Sequence, residues 1–379
     1  MPARDLWARI QKQLQGRAED EQLRLLQSHL DELHEEWKGP YKELRDRLRR
    51  RVARLQGHAS VRSRAGHEDP FHVRRQGDAQ IAVCGSPNTG KSTLVQAWTG
   101  AATVVAGYPF ATQHPVPGML SCPGGALQLV DTPPLVPGLA RGEGGGRPFL
   151  HLLSRMDALA LVIDLTGSVE AQVEVLLSQL VEVGVRPVPG PVTTLYRAKA
   201  KEGVRFRGLD LSRSEEAAAR RILRQAGREH AEVTVRGAFA EDELAAQAAG
   251  ESLTPAVLLG TRSREPGAES AAARLRELPP GFPVVAVGPD PAAARTAAVE
   301  ALRAALGLVT VSLLDRPRPE ADAEELLVPL ASEVGAIARR RHGRPPKEAR
   351  LWGRSADRPG QVVGLGHLVQ AGDRIYLRT

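Results

Sequence analysis

Apolar and polar positions follow different rhythms in successive blocks of this chain. In the first block Leu26, Leu30, Leu33, Trp37, Tyr41, Leu44, Leu48 and Leu55 recur at steps of three, four or seven, which lines one face of a helix. Gly39-Pro40 interrupts the run, because proline lacks an N–H and disfavours helix in the residue before it. Two antiparallel helices and one kinked helix both satisfy the pattern. The expectation is a helical segment over 1–57 and, where periodicity stops, a linker over 58–78. From residue 79 the rhythm changes to short apolar runs: QIAVC, LQLVD, ALALVID, PAVLLG and PVVAVG. Such runs are the mark of strands buried on both faces in a parallel sheet. Helical stretches separate or follow them, including ARLRELP and AARTAAVEALRAALG. Alternating strands and helices predict a doubly wound α/β domain over 79–189 and 252–307.

Residues 190–251 interrupt that alternation and predict an α+β insertion. VTTLYRAKAKEGVRFRGLDL reads as strand–turn–strand with Gly203 in the turn. SRSEEAAARRILRQAG has a Ser start, early glutamates and a terminal glycine, the start and stop signals of a helix. Residues 308–379 predict a small α+β unit: a strand VTVSLLD, a helix EELLVPLASEVGAIARRRHG, and short strands ARLWG and RIYLRT.

The strongest chemical signal lies between the first strand and its helix. Gly85, Ser86, Pro87, Asn88, Thr89, Gly90, Lys91 and Ser92 form a G-x-x-x-x-G-K-[ST] loop, with Thr93 next. Its glycines let backbone wrap a phosphate, and successive N–H groups at a helix N-terminus point at negative charge. Lys91 is placed to reach β- and γ-phosphates, and Ser92 to put its hydroxyl on Mg²⁺. LQLVD ends in Asp131-Thr132-Pro133-Pro134, so Asp131 becomes a candidate for Mg²⁺ held through water. Gly107–Gly118 is punctuated by Pro and Gly and reads as a loop. Its Thr112 is a candidate second hydroxyl for Mg²⁺ when a γ-phosphate is present, in a segment that could order with triphosphate and relax after hydrolysis.

Composition narrows the setting. With 379 residues, 42% hydrophobic and 25% charged, the chain fits a globular protein and is too apolar for disorder. No apolar run approaches the ~20 residues of a membrane helix. The start MPARDLWARIQKQLQ lacks an apolar signal core, and two cysteines, Cys84 and Cys122, make no disulfide framework. Both point to the cytoplasm. Net charge is 51 − 44 = +7, which permits acidic partners such as RNA. The basic stretch KELRDRLRRRVARLQ reads first as a solvated face whose arginine stems cover an apolar stripe, with a phosphate-contacting arm as the alternative; RRRHGRPPKEAR, with Arg354 and Arg358, reads as either.

GSPNTGKST, YPFATQHPVPG, DTPP, EGGGRPFLHLL and ALALVIDLTGS together resemble the Obg-type GTPases, and within them the DRG branch of developmentally regulated GTP-binding proteins. The insertion from RRILRQAG to LTPAVLL is similar to the DRG insertion, and ARLWGRSADRPGQVVGLGHLVQAGDRIYLRT resembles a TGS domain, a ubiquitin-like β-grasp module. The resemblance implies a P-loop NTPase fold, GTP or another NTP as ligand, Mg²⁺ as cofactor, and a ribosome, RNA or translation-factor partner. It implies a K⁺ contact for Asn88. It places Leu135 where Ras-like enzymes have a water-positioning glutamine; an apolar side chain cannot orient water, so slow hydrolysis is expected.

Three departures stand out. Pro134 occupies the slot of a glycine whose N–H contacts the γ-phosphate, and proline has no N–H. Thr261-Arg262-Ser263-Arg264 stands where Asn-Lys-x-Asp is expected. The aspartate accepts two hydrogen bonds from guanine, whereas Arg264 only donates. At ~1.5–3 kcal/mol per charge-assisted bond and tenfold per 1.4 kcal/mol, that removes at least about a hundredfold in discrimination. Gly288-Pro289 replaces the following Ser-Ala. The expectation is a GTP-binding switch with relaxed base choice, against an interaction scaffold that has lost catalysis.

Overall fold

The computed structural model describes residues 73–101, 115–135, 146–278, 280–320 and 322–378, together with Leu25, Leu26 and His29. The chain divides into two compact units, Met1–His72 and Val73–Thr379. In the first unit Leu25, Leu26 and His29 are helical; the rest of the expected helical segment and the linker as far as residue 72 lie outside the described residues.

In the second unit the apolar runs form the expected strands. β1 (Ala79–Gly85), β3 (Gly125–Asp131), β4 (Ala158–Asp164), β9 (Ser252–Thr261) and β10 (Val284–Ala286) are all parallel, in the spatial order β10-β9-β4-β1-β3. β2 (Val116–Cys122) closes one edge antiparallel to β3, and β5 (Val185–Val188) pairs with the start of β9. Ile81, Val83, Leu129, Val162 and Leu259 share one core with Leu94 and Trp98 of α1 (Lys91–Thr99) and Leu302 of α7 (Arg295–Ala305). α2 (Gly146–Leu153) precedes β4, and α3 (Val169–Glu182) packs on β4 and β5 and meets α6 (Ala268–Glu277). Residues 107–114 lie outside the described segments, but the end of the expected loop, 116–118, already belongs to β2. Pro117 is tolerated there because β2 is an edge strand. Gly118 is required, since a Cβ would fall 2.2 Å from Thr99 Oγ1.

β6 (Thr194–Ala198), β7 (Val204–Gly208) and β8 (Ala231–Val235) make a separate three-stranded sheet backed by α4 (Arg213–Gln225) and α5 (Glu241–Ala249). Gly203 does sit in the turn at φ +69, yet β6 and β7 are not partners: β8 lies between them, antiparallel to β6 and parallel to β7. Ala231, Val233 and Val235 of β8 are buried against Ile222, Leu223 and Leu244, so β8 takes the central place. Ser212 caps α4 through a full capping box with Glu215.

The last block holds β11 (Leu308–Leu314), β12 (Ala323–Pro329), β13 (Glu348–Trp352), β14 (Gln361–Val363) and β15 (Arg374–Arg378), ordered β12-β11-β15-β13-β14, with α8 (Val334–His342) packed on them. The expected helix over 324–343 is therefore wrong in its first half. Val328-Pro329 explains why: the proline cannot donate an N–H and its ring pushes Val328 to extended backbone. Leu327 and Val328 are buried, and β12 pairs with β11 along its whole length. β12 also rests on the β2–β3 turn, where Leu327 N–H donates to Gly124 O at 2.9 Å. Arg340 of α8 pairs with Asp78, whose other oxygen accepts Ala126 N–H at 2.7 Å. No helix among the described residues is long and apolar enough to cross a membrane.

Asp373 is fully buried and accepts N–H groups of Ser355 at 3.3 Å and Gln370 at 2.7 Å. Gly353 lies against it at φ +140, where a Cβ would fall 2.3 Å from Asp373 Oδ1. Gly353→Ala is expected to destabilise this sheet by at least about 2 kcal/mol, read as a lowered urea midpoint; an unchanged midpoint would contradict the packing described.

Candidate functional site

Four parallel strands deliver the candidate residues to one edge. β1 ends at Gly85, β3 at Asp131, β4 at Asp164 and β9 at Thr261, and the register sets Val83 beside Asp131, Gly85 beside Val162 and Asp164 beside Thr261. Ligands of open α/β sheets bind at this carboxyl-end edge.

The phosphate loop turns through two left-handed residues, Asn88 at φ +61 and Gly90 at φ +90, before α1 begins at Lys91. Asparagine and glycine are the residues that adopt that region at low cost. Gly85 has no room for a side chain, since a Cβ would lie 2.6 Å from Val162 O and 3.0 Å from Thr89 Oγ1. Thr89 is buried, and its hydroxyl donates to Ser86 O at 3.0 Å. Ser86, Pro87 and Ser92 are half-buried, while Asn88 and Thr93 are exposed.

Lys91 is 7% exposed and donates to Gly85 O at 3.1 Å and Ser86 O at 2.7 Å. Burial lowers its ammonium to about 8, against the opposing pull of Asp131 and Cys84. Ser92 donates its hydroxyl to Asp131 Oδ2 at 2.6 Å. Asp131 is fully buried. The hydroxyl and carboxylate are hard oxygen donors, the set that suits Mg²⁺. Thr112, the other expected ligand, lies outside the described residues.

Thr132 is buried and its hydroxyl donates to Val83 O at 2.9 Å. Burial pushes the neighbouring Cys84 thiol up to about 12, so it is a core residue and no nucleophile. Pro134 and Leu135 are buried. The Leu135 N–H donates to Gly85 O at 3.2 Å, which ties the segment after β3 to the phosphate loop.

On the other side Thr261 is buried, and its single O–H faces two carbonyls, Thr89 O at 2.9 Å and Ile163 O at 3.2 Å. Arg262 follows at φ +59. It pairs with Asp164, lies 3.5 Å from Thr166 Oγ1, and donates to Asn88 O at 3.3 Å. Arg264 is exposed. A Cβ on Gly288 would fall 3.6 Å from Ser263 Oγ and 3.8 Å from Arg264 Cγ, so the two expected base-reading segments do meet. Asp164 and Thr166 were not singled out in the sequence; the one available signal was the D-x-T turn after β4, in which Asp164 Oδ1 accepts Thr166 N–H at 2.9 Å.

A profile of the family described as "50S ribosome-binding GTPase" matches residues 80–191. An uncharacterized GTP-binding protein of Methanocaldococcus jannaschii is 26% identical over 86% of this chain and 85% of its own length. One of Halobacterium salinarum is 29% identical over 82% of this chain and 86% of its own. Human developmentally-regulated GTP-binding protein 2 is 30% identical over 48% of this chain and 50% of its own. Residues 80–191 thus match a GTPase domain, and the chain is similar to GTP-binding proteins, a developmentally-regulated one among them. Among solved structures, the FeoB G-domain of Methanococcus jannaschii aligns at 17% identity with a TM-score of 0.34, over 60% of this chain and 97% of that one. A GTP-binding protein of Sulfolobus solfataricus in complex with GDP aligns at 15% and 0.33, over 76% of this chain and 66% of that one. Lys91 is held on the carbonyls of the Gly85–Ser92 loop while Ser92 bonds Asp131, and Thr261 and Arg262 hold the loop from its other side.

Thr261→Val removes the hydroxyl that the Thr89 and Ile163 carbonyls share. Stability is expected to fall by about 1–2 kcal/mol, measured by chemical denaturation; an unchanged midpoint would show that Thr261 does not brace the loop.

Proposed function

We propose that this GTP-binding protein is a slow, Mg²⁺-dependent nucleotide switch with relaxed base choice, acting with the ribosome or another RNA in the cytoplasm. The observation that carries this reading is the Ser92–Asp131 contact of 2.6 Å beside the buried Lys91. Gly85–Thr93 form the phosphate loop, and its N–H groups and the Lys91 ammonium hold the polyphosphate. Ser92 and Thr112 would hold Mg²⁺, with Asp131 acting on it through water. The ion supplies neutralisation of charge on the transferring phosphoryl group. Asn88 is the K⁺ contact.

The chain's own residues also explain why turnover is slow. Pro134 offers no N–H to a γ-phosphate, and the next N–H, that of Leu135, is directed to Gly85 O. The Leu135 side chain is 2% exposed and cannot orient water. Arg264 presents donors where guanine needs an acceptor. The segment 308–379 is read as a β-grasp TGS module, in keeping with a five-stranded sheet and one packed helix. A second reading, an interaction scaffold without catalysis, is favoured by Pro134, Arg264 and Gly288 alone.

Titration with fluorescent GTP and ATP in Mg²⁺ is expected to show both binding, with GTP preferred by less than about a hundredfold. Arg264→Asp should raise the preference by about a hundredfold. A wild-type preference above that level would overturn relaxed base choice. Turnover should be higher in K⁺ than in Na⁺ and vanish in Lys91→Ala; absence of turnover in both salts, with binding intact, would favour the scaffold.

A further inference from the structure

The insertion sheet packs both of its helices, α4 and α5, on one face. Tyr196, Val204, Phe206, Ala231, Val233 and Val235 pack toward α4 and α5. Strand alternation puts Leu195, Arg197 and Lys199 of β6 and its extension, Arg205 and Arg207 of β7, and Glu232 and Thr234 of β8 on the opposite face. Contacts across the strands agree, since Glu232 meets both Lys199 at 3.5 Å and Arg207 at 3.1 Å. Arg236 continues the same alternation, its N–H still laddered to Thr193 O at 2.8 Å.

Charge is sorted between the two sides. Residues 190–251 contain 11 Lys/Arg and 10 Asp/Glu, a net of 11 − 10 = +1. The face opposite the helices nevertheless carries five cations, Arg197, Lys199, Arg205, Arg207 and Arg236, against two carboxylates, Glu232, which meets Lys199 and Arg207, and Glu202 of the adjoining turn, 3.4 Å from Arg205. Arg205 and Arg207 are 58% and 55% exposed. Arg236 is half-buried without a carboxylate partner among the described residues, and that burial lowers its pKa.

We propose that this face of β6-β8-β7 is a phosphate-binding surface for RNA, a proposal that rests on the RNA-partner reading above and assigns it a site. Four of the five cations are arginines, whose planar fork matches a phosphate. The face carries no aromatic residue on which a base could stack. Recognition is therefore of the backbone, tolerant of sequence and steeply dependent on salt.

The test uses the full chain and a fluorescein-labelled RNA hairpin, read by anisotropy between about 50 and about 200 mM salt. The triple variant Arg197→Gln, Arg205→Gln, Arg207→Gln should lose affinity by about tenfold or more at low salt, and its log–log salt slope should fall by about 2. These side chains lie outside the insertion core, so melting temperature and nucleotide binding should match the wild type. A second variant, Arg339→Gln with Arg341→Gln on α8, should keep the wild-type slope. If the sheet variant binds as tightly as wild type, the site is wrong while the RNA reading stands. If wild type binds no RNA, both fall. If polyglutamate displaces the hairpin as well as unlabelled RNA does, the face takes acidic chains generally, and RNA is the wrong occupant.

Discussion

Burial of the Lys91 ammonium is the constraint around which the rest of the site is arranged. A buried cation loses solvation worth several kcal/mol unless oxygen atoms replace the water. Here the replacements are the Gly85 and Ser86 carbonyls and the charge of Asp131. Those carbonyls point inward because the chain turns sharply through left-handed Asn88 and Gly90. The turn can be that tight because Gly85 presents no Cβ to the Val162 carbonyl. The same turn starts α1 at Lys91, which brings the Ser92 hydroxyl onto Asp131. One backbone path thus sets an ammonium, a hydroxyl and a carboxylate around the place where a polyphosphate and a divalent ion would sit.

The two sides of the site are built differently. On the Gly85–Ser92 side, Lys91 rests on the Gly85 and Ser86 carbonyls and Ser92 on Asp131. On the base side, the buried Thr261 hydroxyl braces the loop through Thr89 O, and Arg262 reaches back to Asp164 and Asn88. β9 and the loop are thereby mechanically connected. An exposed ion pair such as Arg262–Asp164 is worth only up to about 1 kcal/mol, so the brace depends mainly on the buried threonine.

Legibility from sequence follows the range of the interaction. The buried strands, the phosphate loop and the Ser212 cap are written in adjacent residues, and each was readable. The strand–turn–strand of β6 and β7 was readable, with Gly203 in its turn; which strands pair was not, because β8 follows only after α4, and its Ala231, Val233 and Val235 claim the centre. The helix over 324–343 was misread because apolar spacing was given more weight than Pro329. Arg262 meeting Asp164 joins positions 98 apart, and no local pattern announces it. The cationic face of the insertion became visible only once the register sorted alternate residues to opposite sides.

Placement of the polyphosphate is most directly tested by a crystal structure of the full chain grown with Mg²⁺ and a non-hydrolysable GTP analogue in excess. The account predicts phosphate oxygens within hydrogen-bond reach of the N–H groups of 88–92, the Lys91 ammonium transferred from the Gly85 and Ser86 carbonyls to phosphate, and an ion beside Ser92 Oγ. A loop that holds no phosphate, with Lys91 still on those carbonyls, would contradict it.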